Sequence, residues 1–150
     1  MVRFKNRYLL CEFNWHDGRV DETLTELAVI SVFRNEFALN FGDVGSGAFM
    51  GSVNVKYWNP VCGIAVVRVG RDIYRKLWAS MTLLREIKGR SVAVRVLHVG
   101  STLRSSQNAS IERIESKYEK LTRRGVMPGG ARAVSKNKTD AARVIHALQP

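Results

Sequence analysis

The sequence predicts an α+β fold: four antiparallel strands and two helices in the order β-α-β-β-α-β, then a third helix and a basic tail. Three observations carry this. The stretch Val55–Trp78 (VKYWNPVCGIAVVRVGRDIYRKLW) reads as strand, tight turn, strand and helix start. A stripe of apolar residues at helical spacing separates it from an N-terminal strand. A further β-branched run, Val92–Val99, follows a second helix. The order is that of the ferredoxin-like split βαβ arrangement, with two helices on one face of the sheet. The other face is expected to be covered by something outside the domain.

The elements follow in order. Phe4 to Phe13 is the first strand, with Tyr8, Leu10 and Glu12 alternating with Leu9, Cys11 and Phe13. Arg3, Lys5 and Arg7 make its start basic. After an acidic loop, Leu27, Ile30, Phe33, Phe37 and Phe41 predict a helix from about Asp21 to Asn40. Acids at its start suit the helix dipole, and Gly42 suits its stop. Gly42 to Gly51 (GDVGSGAFMG) reads as a flexible connection. Its backbone N–H groups suit a phosphate. However, it follows a helix and precedes a strand, the reverse of a dinucleotide fingerprint, so a hinge or turn is the preferred reading.

Val53, Val55 and Tyr57 alternate with Asn54, Lys56 and Trp58 in the second strand. Asn59-Pro60 breaks the ladder, because proline lacks an N–H. Ile64 to Val69 is the third strand. Gly70-Arg71-Asp72 turns into a helix that runs from about Asp72, as cap or first-turn acid, to Lys88, and Gly89 stops it. Val92 to Val99 is the last strand. A third helix, from about Ser105 to Arg123, carries the stripe Ile111, Ile114, Tyr118 and Leu121. The predicted division is one domain over residues 1–124 and a basic, flexible tail over 125–150, with a short helix after Thr139.

With 150 residues, 45% of them hydrophobic, the chain has enough apolar content for one real core. Its net charge of +11 and isoelectric point near 10.3 favour polyanions as partners. No apolar run approaches the roughly 20 residues of a membrane span. The start, MVRFKNRYLL, lacks the apolar core of a signal peptide. Cys11 and Cys62 have no CxxC spacing and read as reduced, buried thiols of an intracellular protein.

Little in the sequence points to chemistry. His16, His98 and His146 are scattered, and none pairs with a cysteine at metal-ligand spacing. No serine or cysteine sits in a nucleophile motif, and no carboxylate pair is evident. Asp43 is the one acid placed to hold a metal, and a cap is the plainer role for it. An accessory binding protein is therefore preferred over the alternative, a small metal-dependent endonuclease on the same fold. Lys56, Arg68, Arg71, Arg75 and Lys76 interleave with Tyr57, Trp58, Tyr74 and Trp78. Cations beside aromatics suit a nucleic-acid surface. Core aromatics beside a solvated cationic face would give the same pattern, and this stretch alone does not separate the two. The third strand has no aromatic on which a base would stack, unlike common RNA-recognition modules. It is apolar on both faces, as strands buried on both faces are. The open sheet face is thus expected to be a protein interface, with RNA bound elsewhere.

Three blocks carry a family resemblance: MVRFKNRYLLCEF at the start, VKYWNPVCGIAVVRVGRDIYRKLW in the middle and LHVGSTLRSSQ near residue 100. Together, over about residues 1–111, they resemble the Pop-five family of ribonuclease P and ribonuclease MRP protein subunits. The resemblance implies a ferredoxin-like, non-catalytic subunit of a nuclear, nucleolar ribonucleoprotein whose catalyst is RNA. Such an enzyme removes the 5′ leader of precursor tRNA or processes precursor ribosomal RNA. It implies as partners the catalytic RNA, a TIM-barrel-like subunit, a second small ferredoxin-like subunit and other holoenzyme proteins, with no membrane. No cofactor is implied for this chain, since magnesium would act with the catalytic RNA. Carried over, Arg3, Lys5, Arg7, Lys56, Arg68, Arg71, Arg75 and Lys76 become RNA-contact candidates. Gly100, Ser101, Thr102 and Arg104 fall in the family's glycine–threonine–arginine turn, before a helix N-terminus suited to a phosphate. Leu103 there reads as packing. This chain departs from the family pattern in its basic tail and in Ser101, where a second glycine is common.

Overall fold

Alternation along the run Ile64–Val69 builds two cores rather than one. The computed structural model describes residues 5–126 and 130–150. Its elements are β1 (Asn6–Trp15), α1 (Glu26–Ser52), β2 (Asn54–Asn59), β3 (Ile64–Gly70), α2 (Tyr74–Leu83), β4 (Glu86–Ile87), β5 (Arg90–Gly100), α3 (Leu103–Arg123) and α4 (Gly130–His146). The strands pair antiparallel in the order β2-β3-β1-β5-β4. Ala65, Val67 and Val69 join Leu9, Cys11 and Phe13 in a core completed by Val29, Phe33, Leu77 and Met81 of α1 and α2. Ile64 and Val66 face the other way, onto Leu10, Tyr57, Ile114, Tyr118, Val134 and Ile145.

The fold is α+β as predicted, but it is not a plain four-stranded sheet with one face open. The chain's own α3 and α4 cover the face expected to await a partner. Val134, Ala141 and Ile145 recur on one side of α4 and are buried there. Gln107 Nε2 donates to the Ile145 carbonyl at 2.8 Å, which ties α3 to the end of α4. The short helix expected after Thr139 is thus the second half of a longer one, packed on α3 where a flexible tail was expected.

Two other differences concern helix ends. The sequence predicts a helix from Asp72 to Lys88, whereas α2 stops at Leu83 and a hairpin follows. Lys88 (φ 50°) and Gly89 (φ 78°) form its two-residue turn, and both central residues of such a turn need positive φ. Leu84 and Ile87 are both buried, and their three-residue spacing fits a helix as well as this extended path. Asp72 does not cap α2: Ile73 holds the cap position with no side-chain bond, because the turn Ile73 N–H to Gly70 O leaves Asp72 outside the helix.

The first helix also begins later than predicted. Thr25 caps it by accepting from the Ala28 N–H at 3.2 Å, while Asp21 is held in a turn by Thr23. Leu27 is therefore 78% exposed and outside the core stripe, which runs Val29, Phe33, Phe37 and Phe49. At Gly42 (φ 72°, ψ −168°) the helix breaks, as a glycine stop predicts, but the glycine-rich stretch resumes as helix. That segment returns Phe49 to within 5.5 Å of the Phe37 ring centroid. Gly45 permits it, since a Cβ there would lie 2.7 Å from Phe41 Cβ.

Among the described residues, no helix is long and apolar enough to cross a membrane. Cys11 and Cys62 are free and buried, and burial pushes both thiols up to about 12.

A basic end of the sheet as candidate nucleic-acid interface

Strand register decides which of the candidate residues meet. Asn6 pairs with Gly70, Asn54 with Arg68, and Tyr8 with both Arg68 and Gly100. The start of β1, the ends of β3 and β5 and the starts of β2 and α3 therefore share one end of the sheet. Lys5, Arg7, Arg68 and Arg71 gather there, with Arg75 in the first turn of α2. The Arg71 N–H donates to the Lys5 carbonyl at 2.9 Å, which ties the two basic segments together. A groove of about 760 Å³ opens between them and the end of α1, lined by Lys5, Asn6, Ser52, Asn54, Arg68 and Arg71, with Asp72 as its acid.

The guanidinium groups in this region are held in place. With its amide oxygen turned toward Arg68, Asn6 accepts from Arg68 Nη2 at 3.0 Å and Nε at 3.2 Å. Arg7 and Arg75 both approach the Tyr74 ring, at 6.0 and 5.8 Å from its centroid. Arg75 Nε also donates to the Tyr74 hydroxyl at 3.2 Å. That bond, with the nearby charges of Arg75, Arg7 and Arg71, holds the Tyr74 hydroxyl below its ordinary pKa. A phenol eased toward ionisation by a donor and neighbouring cations marks a positive local environment.

The turn into α3 is built for close approach. A Cβ at Gly100 would lie 2.6 Å from Ser106 Oγ and 3.2 Å from the Thr102 carbonyl. Ser106, fully buried, donates to the Tyr8 carbonyl at 3.4 Å. Thr102 caps the helix by accepting from the Ser105 N–H at 3.3 Å. Leu103 is buried, as its reading as packing requires. Ser101 and Arg104 are exposed beside the free first-turn N–H groups.

Not every candidate residue joins this cluster. Lys76 points to α1, with its Nζ 5.6 Å from the Phe41 ring centroid. Lys56 sits on the edge strand β2, where the pairing register shifts between Val55 and Tyr57. Arg3 lies outside the described residues. The central aromatics divide. Tyr57 belongs to the α3–α4 core, and Trp58 packs edge-on against Phe13 and donates to the Leu24 carbonyl at 2.6 Å. On α2, Trp78 is exposed, while Tyr74 is half-buried against the α1–α2 core.

Comparison with known proteins adds identity to this geometry. Residues 7–111 match the family model described as the Rpp14/Pop5 family. The chain belongs to the Rpp14/Pop5 family. Among relatives, the ribonuclease P/MRP protein subunit POP5 of Schizosaccharomyces pombe is 35% identical over 131 residues, covering 81% of this chain and 94% of that protein. The human ribonuclease P/MRP protein subunit POP5 is 31% identical over 116 residues, covering 75% and 71% respectively. In fold, the chain resembles one in the cryo-EM structure of yeast ribonuclease MRP, with a TM-score of 0.53 at 16% identity, over 79% of this chain and 98% of that one. The Rpp14/Pop5 match spans both sides of the basic end, from Arg7 in β1 to the α3 turn. Lys5, the second half of α3 and α4 lie beyond it.

Sequence reasoning missed Glu12. It reads as a surface residue of an alternating strand, yet it is 2% exposed and bound to Arg113 and Lys117 of α3. The available signal was a carboxylate inside the run Leu9-Leu10-Cys11-Glu12-Phe13, opposite a helix with basic residues four apart.

Proposed function

We propose that this protein is a non-catalytic subunit of ribonuclease P and/or ribonuclease MRP, and that the basic end of its sheet binds phosphates of the catalytic RNA. The gathering of Lys5, Arg7, Arg68, Arg71 and Arg75 at one sheet end, beside the free N–H groups of α3, supports the contact most directly. Such a surface positions a protein on a sugar–phosphate backbone without reading sequence. Asn6 and Tyr74 hold three of the guanidinium groups before RNA arrives, which lowers the ordering cost of binding. Chemistry then belongs to the RNA and its magnesium, and the protein's part is to stabilise the fold of that RNA. The substrates are precursor tRNA, cleaved at its 5′ leader, and precursor ribosomal RNA. A TIM-barrel-like subunit and a second small ferredoxin-like subunit are the expected protein neighbours, in the nucleus and nucleolus. The exposure of Leu39, Val44 and Met50 on α1 supports a protein-covered surface there, on the far side of a sheet already covered by its own helices.

A tagged copy purified from its own cells, with the bound RNA sequenced, tests the assignment. The RNA of ribonuclease P or ribonuclease MRP is expected as the dominant species, with cleavage of precursor tRNA or precursor ribosomal RNA in the same eluate. Enrichment of ribosomal or messenger RNA alone would overturn it.

A further inference from the structure

A second basic surface lies away from the sheet end just described. The cleft between β5 and α3, of about 220 Å³, is lined by Arg95, Arg113, Lys117, Lys120 and Arg124, with Glu12 as its one acid. Glu12 is already engaged. Its carboxylate accepts from Arg113 Nη2 at 2.9 Å and from Lys117 Nζ at 2.7 Å, and Asn14 accepts from the same Nζ at 3.1 Å. Arg95, Lys120 and Arg124 are exposed and form no ion pair among the described residues. The helix itself offers them no relief. The neighbours of Lys120 three and four residues away are Lys117, Ser116, Arg123 and Arg124. Arg113 and Lys117, like Lys120 and Arg124, stand four apart, the spacing at which like charges repel along a helix. Arg113 Nε is buried with no partner.

We propose that this cleft binds RNA phosphates at a second site, so that the protein bridges two segments of RNA backbone. The inference rests on reading the chain as an RNA-binding subunit, and it adds a contact on the face of α3 that the sheet-end surface does not reach. Asn6 and Asn14, which mark the two sites on β1, are eight residues apart, roughly 26 Å at the rise of a strand. Glu12 and Asn14 fix Arg113 and Lys117, while Arg95, Lys120 and Arg124 supply the uncompensated charge. Four net positive charges around a concavity suit a polyanion, and with Asn14 and Ser116 as its only neutral polar groups the recognition is independent of sequence.

The test uses the full chain and a mixed-sequence RNA duplex of about two helical turns, long enough to span the cleft. Arg95→Glu/Lys120→Glu/Arg124→Glu is compared with wild type and with the sheet-end variant Lys5→Ala/Arg71→Ala. All three positions of the cleft variant are exposed, so its melting temperature should match wild type. It is expected to bind the duplex at least about tenfold more weakly, and its plot of log affinity against log salt should be shallower by about 2 to 3, near 0.9 for each phosphate the cleft no longer neutralises. The sheet-end variant should keep the cleft's share of the binding. Wild-type affinity and slope in the cleft variant would overturn the inference, leaving a solvated face or a site for an acidic protein. So would wild-type protein with no affinity for the duplex at low salt. Duplex binding that needs the cleft, from protein that captures no ribonuclease P or MRP RNA in cells, would overturn the proposed function and leave this site standing.

Discussion

Val66→Glu is expected to unfold the protein. Val66 is 1% exposed, and its side chain lies among Leu10, Ile64, Ile114, Tyr118 and Ile145. Arg113 and Lys117 of α3 already serve Glu12. A second carboxylate under the same helix would be buried without a partner. An uncompensated buried charge costs several kcal/mol, on the order of 3–5, and a domain of this size has only about 5–15 to lose. Val67→Glu, on the opposite face against α1 and α2, should do comparable damage, since that position is also sealed. Urea unfolding followed by circular dichroism measures both. A face reserved for a partner would predict a different outcome: Val66→Glu folded and only assembly abolished. A Val66→Glu protein with a native transition would show that α3 and α4 do not cover the sheet.

Glu12→Gln comes next in expected effect. Burial disfavours the Glu12 charge, but the hydrogen bonds and charges of Lys117 and Arg113 outweigh that and hold its carboxyl below the usual range. The pair anchors the middle of α3 to β1, the central strand. Losing one partner of a fully buried ion pair costs 3–5 kcal/mol; here Arg113 and Lys117 remain 32% and 18% exposed, so roughly 2–3 kcal/mol is expected. The sign with pH follows from the lowered folded value. The stabilisation is fully present above the unfolded carboxyl pKa of about 4.3 and is lost as the pH falls through the lower folded value. Wild type and Glu12→Gln should therefore differ most near neutrality and converge in acid. A constant gap across that range would mean that the variant acts through packing alone.

The sequence showed the parts of this fold that rest on alternation and on apolar spacing. The strands at Tyr8–Phe13, Val55–Trp58, Ile64–Val69 and Val92–Val99 alternate or run β-branched, and each is a strand. The third helix was legible from its apolar stripe, but it begins at Leu103 rather than near Ser105, because Thr102 takes the cap position. Ambiguity entered where two structures share one spacing. Leu84 and Ile87 satisfy a helix and a hairpin equally, and only the positive-φ pair Lys88-Gly89 settles it. Four glycines between Gly42 and Gly51 argued for a loop, yet packing of Phe49 and Gly45 against Phe37 holds them in a helix. The covering of the second sheet face rested on α4, whose charge and polar residues concealed a three-residue apolar side. For the candidate site, basic residues were easy to find in the sequence, but their grouping was not. Register brings Lys5, Arg68 and Arg71 together, while the face of α2 turns Lys76 toward Phe41 and Lys56 lies on the edge strand; register is set by pairing that a linear pattern does not reveal.

The central claim is that the sheet end carrying Lys5, Arg68 and Arg71 meets RNA phosphates. Equilibrium binding of ribonuclease P RNA across a range of salt concentrations, for wild type and Lys5→Ala/Arg68→Ala/Arg71→Ala, tests it most directly. Removing three phosphate-binding cations should make the variant's plot of log affinity against log salt shallower by about 2 to 3 and weaken binding most at low salt. Parallel plots of equal affinity for the two proteins would contradict the claim and reduce the cluster to a solvated basic surface.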